Sequence, residues 1–421
     1  MAYTRGKKIL MLCFSWPPLF FGVGMYRGLQ FARYLSKLGW KPTVVVSNSG
    51  EPLSYCPEED GKIEGVRVIK VSYNDRLASF RSKRIVKELL AIPDENIAWY
   101  KPALKEAEKL LKEEEFDAVF STSPPETAHL IAKAIKIKYN IPWLADLRDP
   151  WAYSHYFKRS RMKNFILKMM EKNTLRYADA IVVVTEAWRA TLARLYPDLK
   201  NKIFSITNSF DEENLKVDTG QDDRRFIMTY TGKLHKEYQD PEPFLRALKK
   251  VLEKRILEPS RVKARFYTYG YYSPDLLGMI TRYNLRDVVE VSGYIPHKES
   301  ISKQLESTVL LFIDWRQPSS EVYSDIVSTY KIYEYLGARR PIVGISATGN
   351  IATNILKASG AAKLATDEFE LEKILTEWFI EFRNKGRLEY GGNEEFIKKY
   401  NAESTTKELA NLLEHISKQK L

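Results

Sequence analysis

Short, unbroken apolar runs recur along the chain, each followed by a stretch with helical spacing. Residues 8–15, with the apolar run Ile9-Leu10-Met11-Leu12-Cys13-Phe14, are the first, and residues 41–46, 66–71, 118–121, 143–146 and 180–184 repeat the form. Between them, 27–38, 101–114 and 126–138 read as helices. A strand that is apolar on both faces must be covered on both, so the alternation predicts a parallel sheet wrapped by helices. It pauses at Thr207-Asn208-Ser209-Phe210, and the polar stretch 211–225 reads as a linker. A second series opens at 226–230 and continues through 264–269, 288–291, 309–313 and 341–345, with helices at 241–252 and 298–306. The fold class predicted is α/β, two doubly wound Rossmann-like domains. Facing each other, they would bring the carboxyl ends of both sheets to one catalytic cleft.

Length fits this organisation, since 421 residues make two or three domains at roughly 150 residues each. The charge balance is 66 Lys and Arg against 54 Asp and Glu, a net +12. Such an excess suits an acidic partner: nucleic acid, an anionic membrane face or a phosphorylated substrate. Nucleic acid is the weakest of these. The 25 tyrosines are spread through strands and helices rather than gathered in a recognition motif. Two cysteines, Cys13 and Cys56, make a disulfide-stapled secreted fold a poor fit and favour a reducing cytoplasm. Lys7-Lys8 before the first apolar run imitates a signal peptide, but Trp16-Pro17-Pro18 breaks the run, so a buried strand is the better reading. No stretch reaches the roughly 20 apolar residues of a spanning helix.

The candidate chemistry lies where strands end. Gly22-Val23-Gly24, with Arg27 just beyond, follows the first strand. Glycines there let a backbone approach a phosphate or sugar, or simply make a tight turn. Ser123-Pro124-Pro125 precedes a helix holding His129, read as a packed histidine. Asp146-Leu147-Arg148-Asp149-Pro150-Trp151 puts two carboxylates and an arginine after a buried strand, as a catalytic group or as a loop-ordering ion pair. In the second series, Gly232-Lys233-Leu234-His235-Lys236 follows a strand. Its lysines are candidates to neutralise a diphosphate leaving group, against the alternative of solvated surface lysines. Ser328-Thr329-Tyr330-Lys331 opens a short helix whose free N–H groups suit a phosphate, and Glu334 lies one turn in, able to accept from two vicinal hydroxyls.

Taken together, these segments resemble a family 4 glycosyltransferase of the GT-B fold, in the branch that builds bacterial surface polysaccharides. The resemblance rests on Pro17-Pro18 with Gly22-Val23-Gly24, on Ser123-Pro124-Pro125 and on 146–151. It extends over 178–185 and 207–211, and over Lys331-Ile332-Tyr333-Glu334-Tyr335-Leu336-Gly337-Ala338-Arg339-Arg340-Pro341. It implies a retaining, metal-independent transfer from a nucleotide-diphosphate sugar to a glycan or lipid-linked sugar, with no separate cofactor. The acceptor would lie on residues 1–210 and the donor on 211–395. The helix of 396–421 would cross back to the first domain. Donor binding then falls to Glu334 at the ribose, Lys331, Ser328, Thr329, Gly232 and Asp325, with Tyr294 and Ile295 at the base. The catalytic set is Asp149, Asp146, Arg148, Lys233 and Lys236, and Gly22, Gly24 and Arg27 form the acceptor and diphosphate loop.

Three positions depart from the family pattern. Ile326 stands where a first glutamate is usual, leaving Glu321 or Asp325 to serve. The Asp146–Asp149 group replaces a histidine. The second diphosphate lysine has no clean counterpart, and Lys236 is the candidate. A nucleotide-sugar epimerase or hydrolase is the alternative function. The segments 76–87 and 156–170 mix basic and apolar residues, which predicts a peripheral place on the inner face of the cytoplasmic membrane.

Overall fold

The computed structural model describes residues 6–20, 24–49, 54–55, 61–74, 91–153, 159–216, 225–236, 238–268, 272–315, 329–346 and 349–418. Two compact units result, residues 1–208 with 402–421 and residues 209–401.

The first unit is built on seven parallel strands: β1 (Lys8–Leu12), β2 (Lys41–Ser47), β3 (Arg67–Val71), β4 (Ala118–Ser123), β5 (Trp143–Leu147), β6 (Ala180–Val183) and β7 (Ile203–Ser205). Their order is β3-β2-β1-β4-β5-β6-β7. β1 lies between β2 and β4, with Leu10 opposite Thr43 on one side and Val119 on the other. The central strands are apolar on both faces because helices cover both. The edges are different: β3 exposes Arg67 and Lys70, and charges there discourage pairing with another chain. β7 escaped the sequence reading because it has three residues, of which only Ile203 is buried.

Five helices follow strands in this unit: α1 (Met25–Lys37), α2 (Tyr100–Glu113), α3 (Thr127–Tyr139), α4 (Arg161–Leu175) and α5 (Glu186–Leu195). Ser160 caps α4 by accepting from the Lys163 N–H, and Thr185 caps α5 by accepting from Trp188. The closing helix, Ala402–Lys418, lies against α1, and its Leu409, Leu413 and Ile416 share a core with Phe31, Leu35 and the β1 residues Ile9 and Met11. Each such buried side chain contributes about 1.5–3 kcal/mol.

The second unit has six parallel strands: β8 (Phe226–Thr231), β9 (Val262–Tyr267), β10 (Val289–Ser292), β11 (Val309–Ile313), β12 (Ile342–Ile345) and β13 (Ala362–Ala365), ordered β10-β9-β8-β11-β12-β13. Its helices are α6 (Glu242–Glu253), α7 (Tyr272–Arg282), α8 (His297–Leu305), α9 (Tyr330–Gly337), α10 (Ile351–Ala358), α11 (Glu368–Lys385) and α12 (Glu394–Lys398). One core joins Phe226 and Phe266 to Phe244 of α6 and Phe379 of α11. The other joins Leu310 and Phe312 to Tyr333 and Leu336 of α9. Gly337 is required where α9 meets Phe210, since a Cβ there would lie 2.7 Å from the phenyl ring. In both sheets the strand order reverses beside the first strand, at β1/β4 and at β8/β11. Open α/β sheets offer a ligand crevice beyond the strand ends at that point.

Candidate active site

The reversal point of the second unit gathers most of the expected donor residues. β8 ends at Thr231, whose N–H donates to the Tyr335 hydroxyl at 3.0 Å, tying α9 to the strand end. Gly232 follows with φ +107°, a conformation that favours glycine. Lys331, in the first turn of α9, crosses over Gly232, and Lys233 stands exposed next to it. The N-terminus of α9 lacks a side-chain cap, and the buried Thr329 Oγ1 has no hydrogen-bond partner. The uncapped helix N-terminus and the unsatisfied hydroxyl suit an anion there.

Glu334 is 8% exposed. Its Oε1 lies 2.5 Å from His297 Nε2, and its Oε2 accepts from Gln304 Nε2 at 3.4 Å. Both partners come from α8, directly after the Gly293–Pro296 loop on which Tyr294 is exposed and Ile295 half-buried. The sequence reading missed His297 and Gln304. The cue available was the position of His297 at the first turn after a candidate base loop. Lys236 changes place in the account. Its ammonium pairs with Asp275 of α7 at 2.7 Å, in a largely exposed ion pair, so it is turned away from the diphosphate role. Lys331 occupies the position beside Lys233 that Lys236 was expected to fill. Burial, with added charge from Lys233 and Lys331, pushes His235 down to about 4 and keeps it neutral.

In the first unit a cavity of about 200 Å³ opens at the β1/β4 reversal, lined by Phe14, Ser15, Gly24, Thr122, Pro124 and Arg148 among others. The Arg148 guanidinium lies over Gly24, its Nη1 1.0 Å from where a Cβ would stand, so a side chain there would displace the guanidinium. Arg148 Nε is 3.6 Å from Asp149 Oδ2, with both side chains partly exposed. This pair is the one part of the expected catalytic set in this unit that faces outward. Asp146 and Arg27 turn inward. Arg27 binds both Asp146 oxygens, its Nη2 donating to Oδ1 at 2.8 Å, and Thr122 Oγ1 donates to Oδ2 at 2.7 Å. With 2% and 0% exposure, these two form an internal tie rather than a substrate contact. Arg27 therefore leaves the phosphate-loop role, and Asp146 anchors Arg27 rather than Arg148.

Carboxylates outside the expected set hold the loops. Asp94 accepts from the N–H and hydroxyl of Thr127, fixing the start of α3. Glu171 Oε2 accepts from Ala152 N–H at 3.0 Å, and Arg159 donates to the Trp151 carbonyl at 3.0 Å, so the segment carrying Asp149 is anchored from both sides. Burial pushes Glu126 up to about 8, reinforced by Asp94, and pushes Glu171 up to about 7. His129 is buried, with Nδ1 2.8 Å from Ser121 Oγ, and burial lowers it to about 4, which is the packed histidine expected. Gly22, Ser328 and Asp325, together with Glu321, Ile326, Cys56, segment 76–87 and residues 156–158, lie outside the described residues or largely so.

On α4, Met162, Phe165 and Met169 are 62%, 63% and 58% exposed on one face. Arg161, Lys168 and Lys172 are exposed beside them. No described helix is long and apolar enough to cross a membrane. Among the described residues no group of three or more His, Cys, Asp or Glu side chains could hold a metal ion.

Residues 28–214 match Glycosyltransferase Family 4. No curated protein matches the sequence. Among solved structures, the chain is similar to sucrose-phosphate synthase from Thermosynechococcus elongatus, with 14% identity, 97% of this chain and 99% of that chain covered, and a TM-score of 0.60. It is similar to HepE from Anabaena in complex with UDP-glucose, with 14% identity, coverages of 97% and 99%, and a TM-score of 0.63. A third is an S. aureus TarM mutant in complex with fondaparinux, alpha-GlcNAc-glycerol and UDP, with 12% identity, coverages of 97% and 99%, and a TM-score of 0.58.

Proposed function

We propose that the chain, whose residues 28–214 match Glycosyltransferase Family 4 and whose fold is that of the solved glycosyltransferase structures above, transfers a sugar from a nucleotide-diphosphate sugar to a glycan or lipid-linked acceptor in surface-polysaccharide synthesis. The observation that carries this reading is the anion-ready end of β8 and α9, where Lys233, Lys331, Gly232 and the uncapped α9 N-terminus converge. Breaking a sugar–phosphate bond leaves a diphosphate with added negative charge. Cations and N–H groups already in place stabilise that charge without reorganisation. They supply the positive charge in this proposal, so transfer proceeds without a metal ion. Glu334, one turn along, accepts from the two ribose hydroxyls, and Tyr294 and Ile295 meet the base. Asp149, anchored beside the cavity of the first unit, takes the acceptor hydroxyl's proton, with Arg148 orienting it.

The UDP-glucose in the HepE complex and the UDP in the TarM complex support a nucleotide donor, and the fondaparinux and alpha-GlcNAc-glycerol of the TarM complex support a sugar-bearing acceptor. The exposed stripe on α4 supports a peripheral place on an anionic membrane surface. Burial of its apolar residues would add to about 1 kcal/mol for each Lys or Arg near the leaflet.

The test is product analysis with UDP-, GDP- and ADP-sugars, with and without glycan or lipid-linked acceptors, by proton NMR of the anomeric centre. An acceptor-linked sugar with the donor's anomeric configuration, formed equally in a chelator, is expected. Inversion would rule out retention, loss in chelator would rule out metal independence, and a free sugar or epimer alone would favour the hydrolase or epimerase reading.

A further inference from the structure

Lys331 is held in an unusual way for a lysine. Its stem runs over Gly232 at ordinary contact distance, with Cε and Nζ each 3.4 Å from where a Cβ would stand. The Nζ atom lies 3.9 Å from the centre of the Tyr230 ring and donates to the Tyr230 hydroxyl, which donates in turn to the Lys233 carbonyl at 3.1 Å. The lysine is thus bonded to a neutral phenol at the end of β8. The carboxylate that acts on it is Glu334, itself engaged by His297 and Gln304 of α8. From the loop after β8 it faces Lys233 and His235, which share its surroundings electrostatically. Tyr335 completes the group from α9. Burial lowers the Lys331 ammonium to about 7, and Glu334 only partly opposes this.

We propose that Lys331 is the second cation of the donor diphosphate site and that it takes up its proton as the diphosphate arrives. The proposal rests on the donor reading above. The step is a protonation of the amine, –NH₂ + H⁺ → –NH₃⁺. The proton comes from the buffer, and no bond to the ligand is made or broken. An opposite charge within about 4–6 Å favours the charged form by roughly 1–3 pKa units. Near pH 8 the bound state then holds roughly 0.4–0.9 proton more than the free state. Donor affinity falls about tenfold per pH unit between the free and bound values of Lys331, because the ligand must recruit a proton the free protein no longer carries. The arrangement also explains how the chain manages with Lys236 turned toward Asp275.

The experiment is calorimetric titration of the full chain with UDP-glucose, GDP-mannose and ADP-glucose at about pH 8, in two buffers of different ionisation enthalpy. These probes carry no phosphate proton that titrates near neutrality. The wild-type protein is expected to take up roughly 0.4–0.9 proton per donor bound. Lys331→Arg, charged at every working pH, is expected to bind with uptake near zero. A second readout needs no ligand: in protein with ¹³C-methylated lysines, one resonance titrates near pH 7 and is missing in Lys331→Arg. Binding with equal or no uptake in the two proteins, or a Lys331 resonance in the ordinary lysine range, overturns the inference and leaves the donor reading intact. Failure of every nucleotide sugar to bind overturns the donor reading and this inference with it.

Discussion

Removing Asp146 is expected to damage stability more than chemistry. Arg27 reaches from α1 to β5, and its Nη1 and Nη2 also donate to the Thr207 and Ile206 carbonyls at 2.7 and 2.9 Å. One guanidinium therefore joins α1, β5 and the segment after β7. Asp146→Ala leaves that guanidinium buried without its counter-charge, which costs about 3–5 kcal/mol. For a unit of this size each kcal/mol moves the midpoint by about 2–4 °C, so Tm falls by roughly 6–20 °C. Thermal unfolding followed by circular dichroism, paired with turnover measured well below the midpoint, separates the two roles. Turnover of the folded variant should stay within a few-fold of wild type. The double variant Arg27→Met with Asp146→Leu, which leaves no orphaned charge, should recover part of the lost stability. An Asp146→Asn protein with wild-type Tm and no turnover would refute the structural assignment and return Asp146 to catalysis.

Asp149→Asn should lower turnover by about 10²–10⁴-fold with donor affinity unchanged, and the opposite pattern would remove it from the acceptor side. Glu126 and Glu171 are held protonated, their folded values raised from 4.5 to about 8 and about 7. The unfolded chain releases those protons first, so the stability these two groups contribute is full below pH 4.5 and is lost as pH rises through the folded values. Urea titrations near pH 5.5 and 7.5 should show a smaller loss in Glu171→Gln than in wild type, and equal losses would contradict the assignment. Sedimentation with anionic liposomes should show binding at low salt, weakened by neutralising Arg161, Lys168 and Lys172 and by Phe165→Ser with Met169→Ser. No binding at any salt concentration would leave α4 an ordinary solvated face.

The sheets were legible because β1, β4, β5, β6, β8 and β11 are apolar on both faces, a pattern the sequence displays without help from the fold. The edge strands β7 and β13 were not, since each is short and half-exposed. Glu334 was legible for a local reason: it sits one turn into a helix that follows a strand. Arg27 was not. Its partner Asp146 is 119 residues away, and nothing near Arg27 distinguishes an inward guanidinium from one facing a ligand. The two lysine assignments show the same limit. Lys236 is near Lys233 in sequence but is drawn to Asp275, whereas Lys331 is remote in sequence and comes to Gly232 because α9 is tied to the end of β8. His297 was hidden for the same reason, being joined to Glu334 only when α8 and α9 pack on one sheet.

The central claim is that the end of β8 and the start of α9 hold a nucleotide-sugar donor, with Glu334 on its ribose. The direct measurement is donor affinity in wild type and Glu334→Ala, by calorimetry, with Tm recorded for both. Hydrogen bonds to a charged acceptor are worth about 1.5–3 kcal/mol each. The account predicts donor binding weakened by at least about 10–150-fold, measured well below a Tm that the loss of the His297 and Gln304 contacts lowers by a few degrees. Unchanged affinity in a well-folded Glu334→Ala protein would contradict it.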